Sequence, residues 1–283
     1  MMRPLHIFTK REAYFLVAAA MFTGFFASLL MQNLLPDEDV PVILDRSVIF
    51  LGELAFLVAP LIILRQRGLG IWDVIPLRPV SPTTYLMALV MVAGTIGVVS
   101  IYEVLVLPYF PMPDFLVQLE QELSRGGIMS LTILIIAGSV AAPLVEEFIF
   151  RGLLQQSLFY RYGSILPAIL VPTVIFAIFH VAYLFYLPAF IELLALAVLL
   201  GWLMVKTGNI LIPILVHALF NLSSFSTMLF PDLEAMETLG DIGLPWMVVS
   251  VLLLIGGWLY FKFMPVASQE EVYLIQPVIG EES

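Results

Sequence analysis

The sequence predicts an all-α fold: a polytopic membrane bundle of about eight transmembrane helices. Three observations predict it. Of the 283 residues 61% are hydrophobic and only 12% charged, whereas soluble domains carry about 25% charged residues. The mean hydropathy is +1.04. The apolar residues also fall into successive runs of about the ~20 residues that a helix needs to cross a bilayer.

The first run, Ala13 to Leu35, follows the basic residues Arg3, Lys10 and Arg11. It is longer than the roughly 7–15 residues of a signal-peptide core and reads as an uncleaved first helix. Acidic Asp37, Glu38 and Asp39 follow it. The second span covers about 47–64, before a basic loop with Arg65, Arg67 and Arg78. The third covers about 84–107 and ends among Pro108, Pro111 and Pro113. Residues 114–125, with Asp114, Glu120, Glu122 and Arg125, read as a short surface helix. The fourth span runs from Ile128 towards Tyr160, with a kink expected at Pro143. The fifth is expected over 164–187 and the sixth from there to Lys206. After a turn at Thr207-Gly208-Asn209 the seventh covers about 210–230. An acidic loop (Asp232, Glu234, Glu237, Asp241) precedes the eighth, about 244–263.

No polar linker or internal repeat divides the chain, so residues 1–283 read as one membrane domain. Its motif-bearing core is 128–230, and the acidic tail, 265–283, reads as mobile. Arg3, Lys10, Arg11, Arg65, Arg67, Arg78, Arg151, Arg161, Lys206 and Lys262 fall on the N-terminal side of such a bundle. Only Arg46 and Arg125 fall on the other. That asymmetry predicts that both termini are cytoplasmic, in the plasma membrane. The net charge of −10, with no basic patch, argues against nucleic-acid binding. The absence of cysteine excludes disulfides, thiolate metal ligands and a cysteine nucleophile.

The chemistry concentrates in Leu144-Val-Glu-Glu-Phe-Ile-Phe-Arg-Gly-Leu153. An ionisable group in a membrane helix costs roughly 2.5–3.5 kcal/mol on insertion scales, which makes it a functional-site candidate. Glu147 and Arg151 are i,i+4 neighbours that can neutralise each other. Glu146 points elsewhere and needs partners from other helices. The obvious suppliers are Phe176-Ala-Ile-Phe-His180 and His217-Ala-Leu-Phe-Asn221. Lipid offers no hydrogen bonds, so three helices bearing such groups should turn them towards one another. Axial distances of about 20, 24 and 12 Å from the cytoplasmic helix ends to Glu146, His180 and His217 permit convergence without requiring it. A bland reading stands beside each residue. Glu53, Glu103 and Glu192 also lie within spans, so a buried glutamate alone is not diagnostic. His6 reads as a surface residue, Phe176 by spacing alone as packing, and the Glu147–Arg151 pair as a structural bridge.

The order Glu146-Glu147-x-x-x-Arg151, Phe176-x-x-x-His180, His217-x-x-x-Asn221 resembles the signature of the CPBP intramembrane proteases. That family includes the type II CAAX prenyl endopeptidases and bacteriocin-processing, Abi-like proteins. The resemblance covers about 128–230. It implies a helical bundle with a polar cavity, and a hydrolase that cleaves a membrane-associated substrate, of prenylated CAAX or leader type. It also implies a central site of Glu146, His180, His217 and Asn221, supported by Glu147, Arg151 and Phe176. Two mechanisms are open. In one, Glu146, assisted by His180, is the general base on water while His217 and Asn221 donate to the oxyanion. In the other, His180, His217 and Glu146 hold a catalytic Zn²⁺ with one open position. The Asn221 amide favours the first; the family is commonly described as metal-dependent. Buried Glu, His and Arg also suit a proton-coupled transporter, or a scaffold without catalysis, although no inverted repeat supports transport.

Overall fold

The structure, a computed structural model, describes residues 8–35, 40–162, 164–226, 228 and 239–267. The expectations for Arg3, His6, Asp37, Glu38, Asp39, Asp232, Glu234, Glu237 and most of the tail lie outside them. Helices account for nearly all regular structure among the described residues. Among the described residues six helical stretches are long and apolar enough to cross a membrane, by length and composition: 10–33, 42–66, 82–109, 128–159, 187–207 and 244–263. Two shorter apolar helices, 165–179 and 211–226, complete the eight expected segments. The chain is an integral membrane protein.

Helix α1 (Lys10–Asn33) begins at a capping box in which Thr9 and Glu12 exchange hydrogen bonds. The second span is broken into α2 (Val42–Ala55) and α3 (Val58–Gln66). Pro60 has no N–H to give the carbonyl of Phe56 and its ring crowds that carbonyl, so the helix cannot run through. The chain tightens there instead, with Phe56 N–H on Glu53 O and Leu57 N–H on Leu54 O. Helix α4 (Pro82–Val106) starts at a Ser81 cap followed by proline. The expected surface helix is α5 (Asp114–Leu123). Buried Arg46 of α2 donates to the carbonyls of Glu122 and Leu123 at its C-terminal end, where helix carbonyls lack backbone donors.

The fourth span is the centre of the molecule and is not uniformly α-helical. It runs through α6 (Ile128–Ile136), a π-helical turn (Ala137–Ala141), α7 (Ala142–Glu147), a longer π-helical segment (Phe148–Gln155) and α8 (Gln156–Tyr162). Pro143, where a kink was expected, stands in the first turn of α7, directly after the first π-helical turn. The fifth segment, expected to continue to Leu187, stops early. Helix α9 (Ile165–Phe179) is followed by a 3₁₀ turn (Val181–Phe185) and then α10 (Leu187–Thr207). Helix α10 ends on Gly208 in the left-handed conformation (φ 62°). Helices α11 (Leu211–Ser226), α12 (Leu239–Ile242) and α13 (Leu244–Phe263) complete the chain.

Two apolar clusters flank the fourth span. One packs Leu16 and Val17 of α1 against Phe148, Phe150 and Leu153 of the π segment and Phe176 of α9. The other joins Met91 of α4, Leu200 and Leu203 of α10, Ile212 and Val216 of α11, and Phe261 of α13. The motif residues lie where the fourth span, α9 and α11 meet.

Candidate active site

The site is built from three places where a helix departs from α-geometry or ends. At the first π turn, the amide of Ala142 bonds to Ala137 O, five residues back. The carbonyl of Gly138 then has no backbone donor: Ala142 N–H is engaged, and the next candidate, Pro143, has none. Asn221 of α11 supplies one, its Nδ2 donating to Gly138 O at 2.9 Å. Gly138 must be glycine for this approach, because a Cβ there would sit 2.3 Å from the Phe225 ring, one turn beyond Asn221.

The second place is the end of α9. His180 N–H does not reach back four residues but bonds Ala177 O at 3.1 Å. The carbonyl of Phe176 is taken instead by the His180 ring, with Nδ1 at 2.8 Å. A carbonyl oxygen only accepts, so Nδ1 carries the proton and donates. The bond that ends the helix thereby sets the tautomer, leaving Nε2 of the neutral ring as an acceptor. His180, expected within a helix, stands at its C-terminal cap with φ −89° and ψ 57°.

The third place is the π segment after Glu147. Glu147 is completely buried, and its Oε1 lies 3.1 Å from Arg151 Nη1 and 3.0 Å from His217 Nδ1. The carboxylate accepts from the ring, so His217 also carries its proton on Nδ1. Arg151, equally buried, donates from Nη2 to Ala197 O of α10 at 3.0 Å. Its guanidinium lies 5.2 Å from the Phe176 ring centroid, within cation–π range. Phe176 has no solvent exposure and packs beside both histidines and Arg151. Its ring centroid is 4.4 Å from that of His180, 6.1 Å from His217 and 5.2 Å from Phe150.

Both histidines therefore have Nδ1 committed and direct Nε2 to a single carboxylate. His180 Nε2 lies 3.7 Å from Glu146 Oε1 and His217 Nε2 lies 3.6 Å from Glu146 Oε2. These separations exceed a hydrogen bond and suit groups that bind a third species between them. The side chains of Glu146 and His180 are 20% and 26% exposed, against 4% for His217, so a reactant reaches the site past Glu146 and His180. Glu146, Glu147, Arg151, Phe176, His180 and His217 thus form one connected cluster, and Asn221 bonds Gly138 of the same span as the two glutamates. One of the two amide N–H groups of Asn221 is engaged with Gly138.

Glu146, His180 and His217 are the donors that a zinc ion would require. As placed, no group of three or more His, Cys, Asp or Glu side chains among the described residues could hold a metal ion.

The chain's similarity to known proteins agrees with this geometry. Residues 128–223 match the family model described as Type II CAAX prenyl endopeptidase Rce1-like. The match supports membership of the CPBP family. The match spans roughly a third of the 283 residues and contains every motif residue named above. It supports a CAAX-type membrane endopeptidase in general and leaves α1 to α5, α12 and α13 outside. No curated protein and no solved structure matches the chain.

The CPBP segment also contains residues that the sequence reading passed over. Gln155 is wholly buried and donates from Nε2 to Gly201 O at 2.7 Å. Gln156 Nε2 donates to Arg151 O at 3.2 Å. Their signal was available, since Gln155 stands one further turn along from Glu147 and Arg151 in an otherwise apolar run. Outside the segment, Glu53 of α2 lies within electrostatic reach of Glu146. Glu103 and Glu192 act electrostatically on each other, and neither is bonded to the motif residues.

Proposed function

We propose that the protein hydrolyses a peptide bond of a membrane-associated substrate, of the prenylated CAAX type, with water activated by Glu146. The observation that carries this reading is the convergence of the two histidine Nε2 atoms on the two oxygens of the Glu146 carboxylate, each ring held by a bond at its far nitrogen. Water bound between Glu146 and His180 loses a proton to the Glu146 carboxylate, and the resulting hydroxide attacks the scissile carbonyl carbon. The proton then passes from Glu146 to the leaving nitrogen as the C–N bond breaks. Water and one peptide bond thus become a carboxylic acid and an amine, which exchange a proton to leave as carboxylate and ammonium, and Glu146 returns ionised.

The developing oxyanion requires donors. The second N–H of Asn221 is one. His217 donates from Nε2 only when its ring carries both protons, and the Glu147 carboxylate against Nδ1 is placed to stabilise that cation. Arg151 neutralises Glu147 and anchors it to α10. Membership of an endopeptidase family favours hydrolysis over proton-coupled transport. The basic asymmetry of the loops supports an orientation with both termini in the cytoplasm.

A substrate-trapping experiment tests the reading. Purified Glu146→Gln protein should retain a lipidated CAAX-type peptide, which wild type cleaves and releases. Unchanged cleavage by Glu146→Gln would overturn it.

A further inference from the structure

The π segment Phe148–Gln155 carries Arg151, and Glu147 immediately precedes it. Regular π winding is rare and is held where side chains or neighbouring helices make it worthwhile. Here two side chains fasten the segment to adjacent turns of α10. Arg151 Nη2 donates to Ala197 O at 3.0 Å, and Gln155 Nε2 donates to Gly201 O at 2.7 Å. A third, Gln156, holds the Arg151 carbonyl from within the chain. A Cβ on Gly201 would lie 3.2 Å from Ile169 Cγ2, 3.6 Å from Gln155 Oε1 and 3.8 Å from Gln155 Nε2.

Arg151 is not anchored well enough to hold this register alone. Its Nη1 lies 3.1 Å from Glu147 Oε1, but neither Nη1 nor Nε makes an aligned hydrogen bond among the described residues. Gln155 is the other side chain on this face that ties the segment to α10. We propose that Gln155 is a positioning residue for the site: its bond to Gly201 sets the seat of the π segment on α10, and so keeps Arg151 and Glu147 where they hold His217 by Nδ1. Gln155 touches no reacting atom. Its effect on turnover rests on the hydrolytic reading above, whereas its effect on His217 does not.

The test reads the ring directly. The protein has three histidines, so ¹⁵N-histidine labelling of the full-length chain in detergent micelles, with His6→Gln, leaves two signals. Both rings should carry the Nδ1 proton. Gln155→Met keeps length and apolar bulk but removes the donor. It should shift the His217 signals towards a mixture of tautomers while His180, whose Nδ1 is held by α9, keeps its own. A His217 signal unchanged in folded Gln155→Met, even with a lowered melting temperature, overturns the proposal. Should that variant not fold, Gln155→Leu also removes the donor and keeps the site apolar. It should produce the same change, and an unchanged His217 there overturns the proposal equally. On a prenylated CAAX probe peptide, kcat should fall about 10-fold or more with KM unchanged, the pattern of a misplaced catalytic group. If KM rises while kcat holds, the positioning role is wrong. If wild type cleaves no such peptide, the functional reading fails and the histidine signals still decide the role of Gln155.

Discussion

Replacing Arg151 with methionine tests whether the Glu147–Arg151 pair is architecture or ornament. Both side chains have essentially no solvent exposure (0% and 1%), so screening by water does not soften the loss. A methionine side chain at this position would keep much of the volume and a favourable contact with the Phe176 ring. It would leave the Glu147 carboxylate buried with His217 Nδ1–H as its remaining bonded partner. Removing one member of a buried ion pair costs about 3–5 kcal/mol, mostly because the other charge is stranded. Against a typical stability of about 5–15 kcal/mol, that is a large share, equivalent to roughly 10 °C of melting temperature for a chain of this size. The diagnostic measurement is the double variant, Glu147→Gln with Arg151→Met, followed by thermal unfolding in detergent. The glutamine carbonyl still accepts from His217 while the stranded charge is gone. About 2 kcal/mol or more of the loss should return. A double variant no more stable than Arg151→Met alone would refute the argument, since the cost would then lie in the guanidinium's bonds to α10 and Phe176.

Further outcomes follow from the same contacts. His180→Ala should abolish hydrolysis with little change in folded yield, because the ring is partly exposed and strands no buried charge; a yield loss equal to that of Arg151→Met would contradict this. Asn221→Ala should lower kcat about 10²–10³-fold with little effect on KM, as for loss of an oxyanion donor. It should also cost about 1 kcal/mol of stability, because Gly138 O loses its donor; unfolding and steady-state kinetics read the two effects separately. Reporter tags at the N-terminus, after Arg67 and at the C-terminus should be cytoplasmic and one near Glu237 external. Opposite sides for the two termini would refute the eight-segment topology.

Much of this was legible in the sequence because lipid makes polarity informative. In an apolar chain, Glu146, Glu147, Arg151, His180 and His217 stand out as groups that must find partners, and they do. The eight apolar stretches were legible for the same reason. Helix interruptions were less so. Residues 181–187 are as apolar as a helix, so hydropathy carried the fifth segment past the true end of α9. What ends it is the His180 ring taking the bond that its own amide would make. The break at Pro60 was readable from proline chemistry alone, yet the run from 42 to 66 is largely apolar and masks it. The π winding is the hardest feature. It depends on which carbonyls other helices can satisfy, and Gly138 finds its donor 83 residues away on Asn221. Gln155 was hidden because glutamine carries no charge to draw attention, although its spacing from Arg151 pointed to the same face.

The central claim is that Glu146, not a metal ion, activates water bound between it and His180. The most direct measurement compares single-turnover cleavage of a prenylated CAAX peptide by chelator-stripped, metal-analysed wild type and by Glu146→Gln. Stripped wild type should cleave at its full rate and Glu146→Gln should not cleave. If stripping stops cleavage and stoichiometric zinc restores it, or if Glu146→Gln cleaves at the wild-type rate, the proposed mechanism is wrong.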